Sequence, residues 1–145
     1  QHSRVARSTS LIFRRLGMQV AYLAPGSMMP REVPAEIPQF GNWRDALDWK
    51  PDVVYLLRVQ SERLDEPFFP NAAEYHKHYG LTNERVEIIR ERGLHVMHPG
   101  PVNRGVEITD AGMAYEKSLI NTQVENGIAV RMSVLYWLRP GAGLS

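Results

Sequence analysis

The 145-residue sequence contains no cysteine. This absence excludes a disulfide framework, a thiolate nucleophile and any zinc or iron–sulfur site built from cysteine ligands. It also fits a protein from a reducing compartment. The length of the chain and its 43% hydrophobic content predict one globular domain with one core.

Neither sign of charge dominates, since 17 Lys and Arg residues oppose 16 Asp and Glu residues. The basic residues are dispersed, so we expect no nucleic-acid partner. No apolar run approaches the roughly 20 residues that a membrane-spanning helix needs, and no signal-peptide pattern is present. We therefore expect no membrane partner and a cytoplasmic protein.

Two kinds of binding motif are also missing. Neither Gly-x-Gly-x-x-Gly nor the P-loop pattern occurs, which argues against a nucleotide-binding module. His76 and His78 lie two residues apart, on different faces of a predicted helix, and so do not predict a metal site.

Helical and strand-like segments alternate along the chain. Spacing of apolar residues and positions of Gly and Pro predict helices at about 3–16, 43–49, 71–79, 82–92 and 118–138, and strands at 18–23, 53–57 and 94–97. Prolines interrupt the segment 25–41, which predicts an irregular connection with at most a helical turn around 31–37. This order predicts an α/β fold, a doubly wound parallel sheet with helices on both faces. A first strand is missing upstream, so we expect that the chain begins inside a larger protein.

Polar residues follow the predicted strands. The strand 53–57 has the composition of one buried on both faces, and it ends in Arg58 and Gln60. In open parallel sheets the ligand crevice lies beyond the carboxyl ends of the strands, so these side chains would meet a small anion. Arg4, at the start of the first helix, could act with Arg58 to bind a dicarboxylate through two bidentate pairs. A solvated arginine or a weak ion pair remains the alternative for each.

The segment His98–Pro101 follows the third strand. Two prolines prevent it from being helical or a central strand, and Gly100 permits a close approach of another molecule. Its backbone carbonyls could accept hydrogen bonds from an ammonium group. A rigid turn without a ligand is the alternative.

Five segments together resemble a known family. They are 2–8 (His-Ser-Arg-Val-Ala-Arg-Ser), 57–63 (Leu-Arg-Val-Gln-Ser-Glu-Arg), 79–82 (Tyr-Gly-Leu-Thr), 98–108 (His-Pro-Gly-Pro-Val-Asn-Arg-Gly-Val-Glu-Ile) and 123–132 (Gln-Val-Glu-Asn-Gly-Ile-Ala-Val-Arg-Met). In this order they resemble the C-terminal, aspartate-binding half of the aspartate carbamoyltransferases. The resemblance covers nearly the whole chain, and it implies a Rossmann-like aspartate-binding domain of the transcarbamoylase fold.

The resemblance also implies roles for individual residues. Arg4 and Arg58 would bind the carboxylates of L-aspartate, and Gln60 would help to orient it. Backbone carbonyls around Pro99 and Gly100 would receive its α-amino group. That amine would attack the carbonyl carbon of carbamoyl phosphate, giving N-carbamoyl-L-aspartate and phosphate in pyrimidine synthesis, with no metal or organic cofactor.

Other residues of the same segments would act in domain closure. Glu62 and Arg63 resemble members of the network that joins the aspartate loop to the other domain. From its position, Glu62 is also better interpreted as a partner for a neighbouring arginine than as an acid catalyst. No catalytic residue is assigned in this half. The loop at 98–101 has no cysteine, in contrast to the ornithine branch, and this favours aspartate as the substrate.

The family's carbamoyl phosphate loops belong to an N-terminal half that this sequence lacks. We therefore expect an aspartate-binding domain at 1–120 and a C-terminal helix at 121–140. This helix would pack on the absent carbamoyl phosphate domain, which a companion chain or an oligomer would supply. The expected assembly is a homotrimer or larger. The chain alone would be inactive. The alternative is a non-catalytic structural subunit of a multienzyme assembly, which loss of phosphate-binding residues in the other half would favour.

Overall fold

The computed structural model describes residues 4–30, 32–59 and 71–139. Its helices are α1 (Arg4–Arg15), a 3-10 helix (Gly26–Met28), α2 (Trp43–Asp48), α3 (Ala72–Tyr79), α4 (Asn83–Glu91), α5 (Asp110–Met113) and α6 (Ile120–Leu138). Its strands are β1 (Tyr22–Leu23), β2 (Gln39–Phe40), β3 (Val53–Tyr55) and β4 (His95–Met97). The predicted alternation of helices and parallel strands is confirmed.

The described strands form two parallel pairs. β1 pairs with β2, and β3 pairs with β4 in the register Val53↔His95 to Tyr55↔Met97. The chain continues the second pairing beyond the strand, because Leu56 donates its N–H to the carbonyl of Met97 at 2.8 Å. The carboxyl ends of β3 and β4 therefore lie side by side.

Short polar side chains begin several of the helices. Asn42 accepts from an N–H in the first turn of α2, and Asn71 does so for α3. Thr82 caps α4 in the same way, as its position before the helix predicted. Gly17 and Gly93 follow α1 and α4 with positive φ angles of 82° and 69°, a conformation that glycine adopts without strain.

Several predicted boundaries are wrong in detail. β3 ends at Tyr55, and 42% of Val53 is exposed, so this strand is not buried on both faces. The reason is that β3 has a hydrogen-bonded strand neighbour on one side alone among the described residues. The segment 25–41 contains the 3-10 helix at Gly26–Met28 and the strand β2, neither of which was predicted. The short helix α5 was also missed, since four residues are too few to show a periodicity.

The core lies between the β3–β4 pair and the helices that follow these strands. It is made of apolar side chains from α2, α4, β4 and the segments that connect them: Trp43, Leu47, Leu56, Leu81, Val86, Ile89, Leu94, Val96, Ile108, Tyr115 and Ile120. The β1–β2 pair reaches it through Leu23, which packs against its edge. One core therefore supports the strand ends of β3 and β4.

The last helix, α6, contributes little to this core. Its first residue, Ile120, is buried, whereas its apolar residues from Val124 onwards are exposed. Leu135, Trp137 and Leu138 are each more than two thirds exposed, and they point in different directions around the helix. A helix that is apolar on all sides is normally buried. No helix in the described ranges is both long enough and apolar enough to cross a membrane.

Candidate functional site

The candidate site is the edge where β3 and β4 end. Arg58 follows β3 and is exposed, and His98 follows β4 and is buried. The parallel register places these two segments next to each other, as the sequence predicted.

Arg4 is the first residue of α1 and is exposed. α1 lies against β3, because the ring of Phe13 packs edge-on against that of Tyr55 with their centroids 5.7 Å apart. No contact in the described residues tests whether Arg4 and Arg58 bind two carboxylates together, so this role stays a prediction. Gln60, Glu62 and Arg63 lie outside the described residues, so their predicted roles stay predictions as well.

The turn after β4 is stabilised by the side chain of its first residue, His98. Gly100 has φ 66° and donates its N–H to Nδ1 of His98 at 2.9 Å. Because Nδ1 accepts this bond, a neutral His98 carries its proton on Nε2. Nε2 is buried and has no hydrogen-bond partner among the described residues. The backbone N–H of His98 donates to Oε1 of Gln123 at 3.1 Å, which ties the turn to α6.

The carbonyls that follow His98 are available as acceptors. Pro99 and Gly100 are partly exposed, and no N–H in the described ranges donates to either carbonyl. The peptide bond between Gly100 and Pro101 is cis. The predicted acceptors for an ammonium group thus lie on the same sheet edge as Arg58, although no ligand tests this role.

The electrostatics of the site favour a neutral imidazole. Burial lowers the pKa of His98 below its ordinary value, because it disfavours the charged ring. The carboxylate of Glu107 opposes this shift, and the guanidinium of Arg58 adds to it. At neutral pH the exposed guanidinium of Arg58 is therefore the cation of this pair, which suits the binding of an anion.

A buried carboxylate near the site was missed as a site residue from the sequence. Glu107 is 2% exposed and accepts hydrogen bonds from the N–H of Val59 at 2.5 Å and the N–H of Asn103 at 2.8 Å. Nδ2 of Asn103 donates both to Oε1 of Glu107 and to the carbonyl of Val59, each at 2.9 Å. One signal could have found it: an acidic residue between Val106 and Ile108, at a place where a strand-like apolar run would bury it.

Gln123 is the second residue that sequence reasoning did not assign to the site. Its Nε2 donates to the hydroxyl of Tyr55 at 2.9 Å, and its Oε1 receives the N–H of His98. The amide therefore joins α6 to the ends of both β3 and β4. Such a contact depends on the placement of three separate elements and has no local signal.

Neither a metal cluster nor an acid–base pair stands out at this edge. In the described ranges, no group of three or more His, Asp and Glu side chains is placed to hold a metal ion. What the described residues offer at this edge is an exposed guanidinium and two backbone carbonyls to which no described N–H donates. Such groups are complementary to an anion and to a hydrogen-bond donor.

Comparison with known proteins gives a consistent result. The family model described as the Asp/Orn binding domain of aspartate/ornithine carbamoyltransferase matches residues 1–138. A protein of Akkermansia muciniphila named aspartate carbamoyltransferase catalytic subunit is 64% identical over 139 residues, which are 96% of this chain and 45% of that protein. A protein of the same name from Kineococcus radiotolerans is 46% identical over 145 residues, covering 97% of this chain and 45% of its own.

A solved structure shares the fold. The crystal structure of aspartate transcarbamoylase from Trypanosoma cruzi, in complex with carbamoyl aspartate and phosphate, superposes with a TM-score of 0.67 at 24% identity. The match covers 88% of this chain and 42% of that one. This chain therefore spans less than half the length of the relatives that it matches. From the family model and these relatives together, the chain belongs to the Asp/Orn-binding domain family of the aspartate/ornithine carbamoyltransferases.

Proposed function

We propose that this chain supplies the aspartate half-site of an aspartate carbamoyltransferase, which transfers the carbamoyl group of carbamoyl phosphate to the amino group of L-aspartate in pyrimidine synthesis. Arg4 and Arg58 bind the substrate carboxylates, with Gln60 helping to orient the molecule. The carbonyls of Pro99 and Gly100 accept from its ammonium or amine. Glu62 and Arg63 make contacts when the two domains close.

One observation carries the proposal. The parallel pairing of β3 with β4 puts the exposed Arg58 beside the turn His98–Pro101, whose carbonyls have no donor among the described residues. A guanidinium next to free carbonyls is complementary to an amino acid that bears both a carboxylate and an ammonium group. The matched relatives are named for aspartate, which supports this choice of amino acid.

The chemistry needed from this half is mainly positioning. The amine nitrogen forms a bond to the carbonyl carbon of carbamoyl phosphate, the bond to the phosphate oxygen breaks, and the amine loses a proton as phosphate leaves. Holding the amine at the right distance and angle removes much of the entropic cost of this step. Closure of the two domains would exclude water from both reactants.

The proposal includes partners. The carbamoyl phosphate half, in the same protein or in a companion chain, would form the other wall of the site and would cover the exposed apolar residues of α6. The active form would be a homotrimer or a larger cytoplasmic assembly. The long exposed apolar helix supports the need for such a cover.

The first test is an assay of carbamoyl aspartate formation by the enzyme that contains this chain together with its carbamoyl phosphate half. We expect turnover with L-aspartate and none with ornithine. Arg58→Gln should raise the KM for aspartate roughly 10- to 100-fold, because charge-assisted hydrogen bonds contribute about 1.5–3 kcal/mol. The KM for carbamoyl phosphate should change little.

Arg44→Gln is the matched control, since Arg44 is an exposed arginine on α2 and does not belong to the segments that follow β3 and β4. It should leave both KM values unchanged. An enzyme with both halves that forms no carbamoyl aspartate would refute the proposed function and favour a structural subunit. An active enzyme in which Arg58→Gln behaves like Arg44→Gln would refute the assignment of Arg58.

A further inference from the structure

The carboxylate of Glu107 is buried without a cationic partner. Among the described residues, no Lys, Arg or His nitrogen lies within salt-bridge distance of it, although its side chain is 2% exposed. Taking a carboxylate out of water is costly unless hydrogen bonds replace the lost hydration. Here the N–H groups of Val59 and Asn103 and the amide of Asn103 replace it. Three N–H donors therefore bind this one carboxylate and hold it in position.

Glu107 and Asn103 bind the backbone of Val59, and we call these contacts the clamp on Val59. The chain leaves the β3–β4 pairing after Leu56, and Val59 makes no backbone–backbone hydrogen bond with the described residues. Instead its N–H donates to Glu107, and its carbonyl accepts from the amide of Asn103. Both backbone polar groups of Val59 are therefore bound by two side chains of the segment 98–108.

Val59 lies between the two residues proposed to bind aspartate. The side chain of Val59 is 3% exposed, whereas that of its neighbour Arg58 is exposed. Because Arg58 is covalently joined to Val59, the hydrogen bonds that fix the backbone of Val59 also restrict the position of Arg58.

The surroundings of the carboxylate keep it isolated from water. Burial, and then the negative charge of Glu107, raise the pKa of Tyr75 to about 12. The same negative charge opposes the lowering of the pKa of His98 by burial.

We propose that Glu107, together with Asn103, is a positioning residue for aspartate: it holds the backbone of Val59 so that the neighbouring Arg58 is pre-arranged for the substrate. This inference rests on the proposed function and deepens it. Glu107 itself does not contact the substrate. Glu107 contributes by restricting the conformations of Arg58 before the substrate binds. Less conformational entropy is then lost on binding.

The test is steady-state kinetics of Glu107→Gln in the enzyme that contains both halves. Glutamine keeps the shape of the side chain, but its amide nitrogen cannot accept from an N–H. We expect the KM for aspartate to rise roughly 10- to 100-fold, because small misplacements of binding groups have effects of this size. The KM for carbamoyl phosphate should stay within about twofold of its original value, since that substrate is bound by the other half.

Asn103→Ala is the second variant, and the double variant completes a thermodynamic cycle. Because both side chains hold the backbone of the same residue, Val59, the combined effect on the KM for aspartate should be clearly smaller than the product of the two single effects. Ile89→Ala serves as the control for stability, since Ile89 is fully buried in the core and has no bond to Val59. It should lower the Tm without changing the KM for aspartate.

The outcomes separate the two proposals. If the unmodified enzyme is active and Arg58→Gln raises the KM for aspartate, while Glu107→Gln and Asn103→Ala alter only the Tm, then Glu107 is merely structural and this inference is wrong. Multiplicative effects in the double variant would also overturn it. An unmodified enzyme without activity would contradict the proposed function itself.

Discussion

At the scale of single residues, His98 shows how a tertiary environment selects one protonation state. Its Nδ1 accepts the N–H of Gly100, and burial lowers the pKa of its ring below the ordinary value. A protonated ring could not accept that bond. The neutral form of His98 is therefore part of the structure of the turn that contains Pro99 and Gly100.

The neutral imidazole of His98 in the folded protein predicts that the protein loses stability in mild acid. Because the folded pKa of His98 is below the unfolded value, the unfolded chain takes up the proton first as the pH falls. The contribution of His98 to the free energy of unfolding is then complete above about pH 6.5 and decreases as the pH falls below it. We expect the Tm to fall between pH 7.5 and 5.5 and the slope to be smaller in His98→Gln.

His78→Gln is the matched control for this prediction, because His78 is an exposed histidine on α3. It should leave the slope of Tm against pH unchanged. Thermal unfolding followed by circular dichroism at several pH values measures the effect. Equal slopes in His98→Gln and in the unmodified protein would show that another group causes the acid sensitivity.

At the scale of elements, the C-terminus of α3 depends on a side chain from α4. The guanidinium of Arg85 donates to the carbonyls of Lys77 at 2.9 Å and His78 at 3.1 Å, and to that of Gly80. It also lies over the ring of Trp43, 5.3 Å from the ring centroid. These carbonyls have no partner within the helix, so a cation there satisfies them and favours the negative end of the helix dipole.

Arg85→Lys keeps the charge but loses the fork of donors. We expect it to lower the free energy of unfolding by about 1–2 kcal/mol, because an ammonium cannot serve several separated carbonyls and stack on an indole at once. Urea unfolding measures the change. Arg44→Lys, on the exposed face of α2, should have almost no effect, and an equal loss in both variants would contradict the role given to Arg85.

A second element, α6, is connected to the site and yet mostly uncovered. Gln123 joins its first turn to Tyr55 and His98, whereas its apolar residues from Val124 to Leu138 are exposed. Val124, Ile128 and Leu135 are spaced by four and seven residues, which is typical of one apolar face of a helix. The structure shows exposed apolar residues on other sides of the helix as well, including Val130 and Trp137.

At the scale of the whole molecule, the proposed companion half should cover α6. We expect the amide hydrogens of residues 128–138 to exchange slowly when the carbamoyl phosphate half is present and much faster when it is absent, because an isolated exposed helix opens locally. Hydrogen exchange followed by mass spectrometry measures this. Amides of the core helix α4, around Ile89, should be protected in both samples.

Ile128→Glu gives a complementary test. A carboxylate in a buried apolar interface should weaken the association of the two halves, while the core around Ile89 keeps its protection. Glu125→Gln, on an exposed position of the same helix, is the control. Slow exchange of residues 128–138 without any companion half would show that α6 is stable uncovered and would contradict the predicted packing.

The sequence by itself determined the fold class, the order of most helices and strands, the helix caps at Asn42 and Thr82, and the family. These features depend on local patterns: periodicity, turn residues and short motifs, which are present in any conformation of the chain. It also placed Arg58 and His98 at strand ends that a parallel sheet must bring to one edge.

Only the tertiary structure decided how that edge is built. The clamp of Glu107 and Asn103 on Val59, the bridge made by Gln123 and the neutral state of His98 each join segments far apart in sequence. Short strands such as Gln39–Phe40 and the exposure of Val53 were likewise beyond prediction, because both depend on which strands become neighbours. A hydrogen bond between distant segments changes no local sequence pattern in either segment. It can therefore be identified only in the folded structure.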